Sequence, residues 1–378
     1  MEPVTHLLTG ACLARSGFNR KTAYATLAMT LAAEAPDLDT LWSLRGPVAG
    51  FEHHRGWTHS FLGIPLEAAV VVGAVWLWHR WKLGRERARS KVYATRPETS
   101  PTPQPEAQAA PATPATSRAR EAPPVRWALL YAFAIVALLS HILLDWTNNY
   151  GIRPFFPFNP RWYAGSFVFI FEPVMFLLLL AGLVAPALFG LVGGEVGARR
   201  ERFRGRGWAV FALVSIALLW GWRGWEKLSA ERIALGGDFG GVEITRTFLS
   251  PYPVTPFTWH AVIETPDFFQ LATVDTWTGR VATTGQEDVF RKPASSPATL
   301  AAKRSWLGHV YLDWSQFPVV TDSGPDPDGI SEVSFRDLRF LYDTLGMHGR
   351  EASPLTGTAL VDGNRQVVRM VMNGRVQK

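Results

Sequence analysis

The amino-acid sequence predicts an all-α polytopic membrane helical bundle of about six helices, followed by a small β-rich soluble domain. Three observations support this prediction. Several apolar runs approach the roughly 20 residues that a helix needs to cross a bilayer. Only 19% of the 378 residues are charged, and 16 residues are tryptophan. At about residue 230 the pattern changes from long apolar runs to short alternating ones.

The six predicted helices fall into two groups. Long apolar runs predict transmembrane helices at about 59–78, 127–146, 167–190 and 208–226. Two shorter segments, about 4–15 and 21–35, are richer in Ala and Thr. They form either thin transmembrane helices or a re-entrant hairpin packed inside the bundle, and the sequence leaves both alternatives open. Membrane helices are therefore expected in residues 1–83 and 126–228.

The range 84–125 separates these two sets of helices and is predicted to be a disordered cytoplasmic linker. Its centre, RPETSPTPQPEAQAAPATPATSRAREAPP, is rich in Pro, Ala and Thr and has almost no large apolar side chains. Such a composition cannot bury a core.

The range 229–378 is predicted to be a β-rich domain outside the cytoplasm. Gly, Pro and Asp separate short alternating or aromatic runs, which is typical of strands. These runs are VEITRTFL, TWHAVIE, FFQLATVDTW, GHVYLDW and QVVRMVMNG.

The basic excess belongs to the membrane part of the chain. Residues 1–226 hold 23 Lys and Arg against 15 Asp and Glu, whereas the remainder holds 15 against 17. Because the basic residues cluster in a few connecting segments, they indicate membrane orientation by the positive-inside rule and no nucleic-acid partner. The basic segments 15–21, 79–126 and 191–207 are expected in the cytoplasm, so both ends of the chain lie outside.

The N-terminal residues and the single cysteine add two expectations. The first residues, MEPVTHLLTG, lack a basic region and a cleavage site, so we expect no removable signal peptide. Cys12 alone excludes an internal disulfide and a cysteine-rich zinc site.

His141 and Asp145 lie one helical turn apart at the end of an apolar run. An ionisable pair at membrane depth is costly unless it has a function. The i, i+4 spacing places imidazole and carboxylate on one face of a helix, where both can reach one metal ion. A helix-capping pair is the alternative.

Other ionisable groups fall at the same end of the predicted bundle, because helix direction alternates. They are His6 in THLLTG, Asp37 and Asp39 in APDLD, His53, His54 and His59 in EHHRGWTHS, and Glu172 in FIFEPVMF. Asp37 and Asp39 could instead be turn residues after Pro36, and His53 could be a plain loop residue. If the two short helices form a re-entrant hairpin, the ends that carry His6, Asp37 and Asp39 still point outward, toward the other ionisable groups.

Imidazole and carboxylate are the usual ligands of catalytic zinc, and they also suit manganese or iron. The set is large enough for one or two ions. Two ions can clamp a phosphoester and activate a water molecule. Arg55 and Arg153 flank the cluster and could hold phosphate oxygens. The tryptophans near this boundary, Trp42, Trp57, Trp146 and Trp162, are most simply an interfacial belt.

The motifs THLLTG, PDLD, HHRGWTHS and HILLDWTNNYG resemble, in this order, the YdjM-type family of membrane-bound metal-dependent hydrolases. The resemblance covers residues 1 to about 226. It implies a divalent metal held by His6, Asp37, His54 or His59, His141 and Asp145, with Asp39 as the second acid. Glu172 stands where many members have Asp before Pro. The family is distantly similar to zinc-dependent phospholipase C and the S1/P1 nucleases, which implies phosphoesterase-like chemistry by analogy.

Together these features predict a multi-pass hydrolase of a bacterial inner membrane that cleaves a phosphoester of a lipid or membrane-proximal substrate. The expected metal ligands are His6, Asp37, His54, His59, His141, Asp145 and Glu172, and the expected catalytic residues are Asp37, Asp39 and Arg55. The bilayer is the expected partner, and no protein partner is predicted. The alternative is a non-catalytic membrane metal-binding or envelope scaffold protein.

Overall fold

The computed structural model describes residues 1–94, 123–195 and 205–378, except residues 238, 284, 286, 287, 293 and 343–353. The described residues form a helical half and a C-terminal domain of two β-sheets. The first half contains the helices α1 (Pro3–Arg15), α2 (Ala25–Glu34), α3 (Pro47–His53), α4 (Gly63–Ala94), α5 (Trp127–Thr147), α6 (Pro173–Glu195) and α7 (Arg206–Leu235). Short 3₁₀ segments at Phe18–Arg20, Ala35–Arg45 and Trp57–His59 join several of them.

Among the described residues, fewer helices are suited to crossing a membrane than the sequence predicted. Within the described part of the chain, three helices are long and apolar enough to cross a bilayer: Trp127–Thr147, Pro173–Gly190 and Arg206–Leu235. A fourth span is added if Pro47–His59 and Gly63–Arg89, bent by 87° at their break, count as one. The expectation of about six spanning helices is therefore not confirmed.

Helices α1 and α2 are too short to cross a membrane. Their 13 and 10 residues correspond to about 20 and 15 Å at 1.5 Å per residue, against a hydrocarbon core of about 30 Å. They pack tightly against each other, because a Cβ at Gly10 would lie 2.6 Å from the carbonyl oxygen of Met29 and 2.7 Å from Cβ of Ala33. The sequence left the role of these two segments open because they are short and rich in small residues. Those small residues allow the two helices to pack closely.

Two of the long helices have different boundaries from those predicted. Helix α4 continues to Ala94, so helix occupies the first part of the predicted linker 84–125. The Lys- and Arg-rich turns after residue 79 carry good helix formers. Residues 95–122 of that predicted linker lie outside the described residues. Helix α6 begins at Pro173 rather than near residue 167, because proline suits the first turn of a helix, where no backbone donor is needed.

The C-terminal domain contains two antiparallel sheets. The strands of the first are β1 (Arg246–Pro251), β2 (Thr258–Glu264), β3 (Phe268–Asp275), β4 (Arg280–Ala282) and β5 (Val289–Arg291), in the order β1-β2-β3-β4 with β5 also paired to β3. The strands of the second are β6 (Pro318–Pro325), β7 (Ser331–Asp337), β8 (Gly357–Val361), β9 (Val367–Met372) and β10 (Arg375–Val376), in sequential order. The predicted β-rich character of this domain is confirmed.

Two helices, α8 (Pro297–Lys303) and α9 (Trp306–Trp314), lie between the sheets in sequence. The strand prediction for GHVYLDW was wrong, since this run forms most of α9. Ser305 caps the helix by accepting a hydrogen bond from the amide of Gly308. Leu307, Tyr311 and Trp314 then repeat at helical spacing and are buried in the core of the second sheet.

The two halves share hydrophobic cores and buried hydrogen bonds. The last turns of α7 bury Ala230 and Ala234 against Leu249 and Trp259 of the first sheet. Val48 of α3 and Tyr150 belong to the core of the second sheet. Such shared burial ties the C-terminal domain to one end of the helical half, the end at which α5 finishes.

Buried polar contacts reinforce this junction. The Arg339 guanidinium pairs with Asp337 at 2.9 Å and donates to the carbonyl oxygen of Asn149 at 2.8 Å. The Asn149 side chain donates to the Tyr342 hydroxyl at 3.1 Å. Because Arg339 is fully buried, the pair with Asp337 offsets the cost of removing its charge from water.

We expect Gly10→Ala to destabilise the protein by about 1–3 kcal/mol, because the added methyl group overpacks the contact between α1 and α2. Gly73→Ala is the matched control, since a Cβ at Gly73, also in a helix, meets no atom within 4 Å. Thermal unfolding of the detergent-solubilised protein measures both. Equal unfolding temperatures for the two variants would contradict the close approach.

Candidate metal centre

Four ionisable side chains from three elements converge at the end of the helical half. Asp37 lies in the 3₁₀ segment that follows α2, His59 ends the short turn before α4, and His141 and Asp145 lie one turn apart on α5. One ligand atom from each lies within 4.8 Å of all the others. His59, His141 and Asp145 are fully buried, and the Asp37 side chain is 12% exposed.

Local sequence explains how Asp37 and Asp39 reach this position. Helix α2 ends at Glu34, and Pro36 follows at the start of the next segment. Proline lacks the amide hydrogen of a continuing α-helix but suits the first turn of a new helical segment. The chain continues as a tighter 3₁₀ segment, which places Asp37 near His141 of α5 and Asp39 against the loop that carries His59.

The two histidines direct their Nε2 lone pairs into the centre. Nδ1 of His141 donates to the carbonyl oxygen of Ala33 at 2.7 Å, because a carbonyl can only accept. Nδ1 of His59 lies 3.3 Å from Asp39 Oδ2 and 3.0 Å from the Thr58 hydroxyl. With both Nδ1 atoms engaged, the two Nε2 atoms face each other at 3.0 Å as acceptors.

Carboxylate oxygens complete this set of acceptors. Asp145 Oδ2 lies 3.2 Å from His59 Nε2 and 3.4 Å from His141 Nε2, and it has no hydrogen-bond partner within the described residues. Asp37 Oδ1 lies 3.4 Å from His59 Nε2 and 3.6 Å from His141 Nε2. Four converging lone pairs in a buried site repel one another unless a cation lies among them. The residues therefore fit a divalent metal ion with nitrogen and oxygen ligands.

The second oxygen of Asp145 faces another group of residues. Oδ1 lies 3.4 Å from His6 Nε2 and 2.7 Å from Arg55 Nη2, and it pairs with the amino group of Met1. The His6 ring stacks on His141 at 3.8 Å, and neither of its buried nitrogens has a hydrogen-bond partner in the described structure. Asp145 thus faces the group of four with one oxygen, and His6, Arg55 and the amino group of Met1 with the other.

Asp39 lies behind the cluster and organises the loop that carries His59. Its carboxylate lies 2.9 Å from His54 Nδ1 and accepts from the Arg55 amide at 2.8 Å and from the Thr58 hydroxyl at 3.0 Å. A carboxylate that accepts a hydrogen bond from the non-ligating nitrogen of a histidine fixes the orientation of the ring. It also raises the basicity of the nitrogen that binds the metal. Asp39 therefore acts on the centre through His59.

Both aspartates of this segment are held in the ionised form. Burial alone would raise the pKa of Asp39, but hydrogen bonds with His54 and His59 outweigh it, so this pKa lies well below its ordinary value. Burial opposes ionisation of Asp37 in the same way, and its neighbours His59 and His141 again lower the pKa. Anionic oxygens are what a divalent ion requires.

Arg55 is buried at the edge of the cluster in an unusual backbone conformation. Its φ of +55° lies in the left-handed region, which costs free energy for a residue with a Cβ. Besides contacting Asp145, its guanidinium donates to the carbonyl oxygen of Gly151 at 2.8 Å and lies over the Tyr150 ring at 4.7 Å. The hydrogen bond that the Arg55 backbone amide donates to the Asp39 carboxylate is one contact that holds this strained conformation.

The remaining residues predicted from the sequence lie outside the group of four. His54 contacts Asp39 rather than the centre, and His53 stacks on Trp42 at 4.0 Å. Glu172 is 5% exposed at the start of α6, where its carbonyl accepts from the amide of Phe176 and its charge interacts with that of Arg223. Arg153 pairs with Asp313 of α9 at 3.1 Å.

The sequence analysis missed several residues that support the site, and only one of those named below carries a signal in the sequence. The Ala33 carbonyl that orients His141 is a backbone group, which any residue type could supply. Thr58, which bonds both Asp39 and His59, could have been proposed from its place in the THS motif. Asn148 accepts from Arg55 at 3.4 Å through its side chain, and only the fold brings it close.

An open cleft of about 600 Å³ lies against the loop that supports the cluster. Asp39 and Thr58 form part of its wall, so the loop that supports the cluster also faces the cleft. Three of the tryptophans attributed to an interfacial belt, Trp42, Trp57 and Trp162, line it as well. Asp37, His59, His141 and Asp145 do not themselves line the cleft; Asp39 and Thr58, which contact His59, lie between this group and a space large enough for a small molecule.

Comparison with known proteins identifies the helical half. Residues 1–230, more than half of the chain, match the family model described as YdjM inner membrane protein. The chain therefore belongs to this family, as the motifs predicted, and is a membrane protein. It is also 22% identical over 191 residues to the uncharacterised protein YfhP of Bacillus subtilis, a match that covers 48% of this chain and 45% of that protein. No solved structure matches the chain.

We expect the double variant His141→Ala, Asp145→Ala to bind zinc at least about tenfold more weakly than the wild type, because two ligands are lost. Metal content after dialysis, measured by mass spectrometry on protein of verified fold, checks this. His309→Ala removes an imidazole from α9 and serves as the control. Undiminished zinc in the double variant would rule out the proposed centre.

We expect Asp39→Ala to weaken zinc binding by about 10–100-fold although Asp39 contributes no ligand atom to the group of four, because His59 loses its orienting carboxylate. Zinc competition with a chromogenic chelator measures the affinity. Asp326→Ala removes an exposed turn carboxylate and should leave the affinity unchanged. Equal affinities for the two variants would mean that Asp39 does not position His59.

Proposed function

We propose that this member of the YdjM family is a membrane-embedded metal-dependent hydrolase that cleaves a phosphoester of a lipid or membrane-proximal substrate. The observation that carries the proposal is the convergence of Asp37, His59, His141 and Asp145 within 4.8 Å, beside an open cleft. A purely structural cluster would satisfy its buried acceptors with protein donors. Here the lone pairs face one another instead.

Zinc is the first choice of metal, with manganese or iron as alternatives, because the donor set is two imidazoles and two carboxylates. A second ion would take His6 as a ligand, because neither buried nitrogen of this ring has a hydrogen-bond partner among the described residues. When bound, such ions lower the pKa of a water molecule and polarise a phosphoryl oxygen.

The surrounding side chains suit the charges of phosphoester hydrolysis. Arg55 is always protonated, buried, and 2.7 Å from Asp145. Its guanidinium would offset negative charge on a phosphoryl group beside the centre. Asp37 is the most exposed of the four residues, so its carboxylate is the one that solvent and substrate reach first.

The setting of the site favours a substrate that resides in or near the bilayer. His141 and Asp145 occupy the last turns of an apolar helix that is long enough to span a membrane. Large apolar side chains near this end are strongly exposed, including Leu41 at 60%, Leu44 at 86% and Phe158 at 85%. Contact with lipid would cover them.

Charge distribution supports an orientation in the inner membrane. Arg20, Lys21 and Arg206 lie at the opposite ends of the helices from the cluster. By the positive-inside rule that end faces the cytoplasm. The metal centre and the C-terminal domain would then lie at the extracytoplasmic surface.

A hydrolysis assay on the full-length protein in detergent tests the proposal. We expect zinc-loaded protein to hydrolyse bis(p-nitrophenyl) phosphate or a fluorescent phospholipid, to lose this activity with a chelator, and to regain it with zinc. Asp37→Asn should lower kcat by about 100-fold or more. Asp326→Asn, an exposed turn variant, should retain wild-type activity.

The assay also separates the proposal from its alternatives. Bound zinc without hydrolysis of any phosphoester would identify a non-catalytic metal-binding membrane protein. Protein that binds no metal, and whose stability a chelator does not change, would instead be an envelope scaffold.

A further inference from the structure

The cleft beside the metal centre is built from both halves of the protein. The helical half contributes Trp57, Thr58 and Arg153, whereas α9 of the C-terminal domain contributes Trp306, His309, Val310, Asp313 and Trp314. The family match ends at residue 230. One wall of the space beside the centre therefore comes from outside the matched region.

Two indole rings in this cleft are available to a ligand. Trp57 is 52% exposed and Trp306 is 37% exposed. Other rings in the lining are already engaged: Trp42 stacks with His53, Trp314 is buried, and Arg153 lies over Trp162 at 4.5 Å. The Nε1 of Trp306 donates to Glu52 at 3.0 Å, which fixes the orientation of this ring. The cleft thus presents flat apolar faces, one from each half.

The acidic groups of the cleft are held by donors from the protein. Asp313 accepts from Arg153 at 3.1 Å and from Nε1 of Trp162 at 3.3 Å. Glu52 accepts from Trp306 and lies 3.7 Å from His53. Because Arg153 offsets one of these charges, the lining is not a strongly anionic cage of the kind that selects a quaternary ammonium group. Each carboxylate nevertheless keeps spare lone pairs, which can accept hydrogen bonds from hydroxyl groups.

We propose that this cleft binds a polyhydroxylated ring, the sugar-type head group of the phosphoester that the metal centre cleaves. One C–H face of the ring would pack on Trp57 or Trp306, and its hydroxyl groups would donate to Glu52 and Asp313. Helix α9 then determines substrate specificity. The identification of this ring as part of the substrate rests on the proposed function, whereas its binding does not.

Calorimetric titration of the full-length zinc-loaded protein in lipid nanodiscs tests the proposal. The probes are a glucose 1-phosphonate, whose C–P bond resists hydrolysis, methylphosphonate, which lacks the ring, and the phosphonate analogue of phosphocholine. We expect the glucose compound to bind at least about tenfold more tightly than methylphosphonate. Packing on an indole ring and hydrogen bonds from the hydroxyl groups together increase the affinity by more than this factor.

Variants of α9 sharpen the experiment. Trp306→Ala should remove most of this tenfold preference, and Trp306→Phe should keep much of it because a ring remains. Trp277→Ala is the matched control, since Trp277 is 76% exposed in the same domain but does not line the cleft. It should bind all three probes as the wild type does.

Three results would overturn the proposal: equal affinities for glucose 1-phosphonate and methylphosphonate, tightest binding of the phosphocholine analogue, or an unchanged preference in Trp306→Ala. Failure of the proposed function would look different. The sugar preference would then persist and depend on Trp306, while the protein hydrolysed no phosphoester with any metal.

Discussion

The convergence of nitrogen and oxygen acceptors at a buried end of the helical bundle is the constraint on which the site depends. His59 and His141 each use Nδ1 for a hydrogen bond that fixes the ring, so their Nε2 lone pairs meet those of Asp37 and Asp145. In a low-dielectric site such an arrangement is costly without a cation. The two imidazoles and two carboxylates are therefore arranged so that they can serve as ligands of one metal ion.

The short helices α1 and α2 make this arrangement possible. Because Gly10 allows α1 to approach Met29 and Ala33 closely, the Ala33 carbonyl reaches His141 while His6 stacks on the same ring. The small side chains at this contact thus place His6 and Ala33 beside the centre.

The residues that share the site could be predicted from the sequence more accurately than the secondary structure and the contacts around them. The i, i+4 spacing of His141 and Asp145 and the motifs around Asp37 and His59 predicted a shared centre, because charged groups at membrane depth have few other roles. Sequence spacing could not separate Asp39 from Asp37, since only the fold shows that Asp39 faces Nδ1 of His59. The apolar run of α9 was ambiguous between strand and helix, and the Ser305 cap together with burial on the second sheet decided it.

The junction between the two halves connects the metal centre with the C-terminal domain through a few consecutive residues. Asp145 belongs to the cluster, Asn148 contacts Arg55, Asn149 bonds Arg339, and the carbonyl oxygen of Tyr150 accepts from Trp314. The same connection that ends α5 therefore anchors α9. Because these anchors are buried and hydrogen-bonded, α9 forms a fixed wall of the cleft rather than a loosely tethered cover. Substitutions in α9 therefore change the wall of the cleft without touching Asp37, His59, His141 or Asp145.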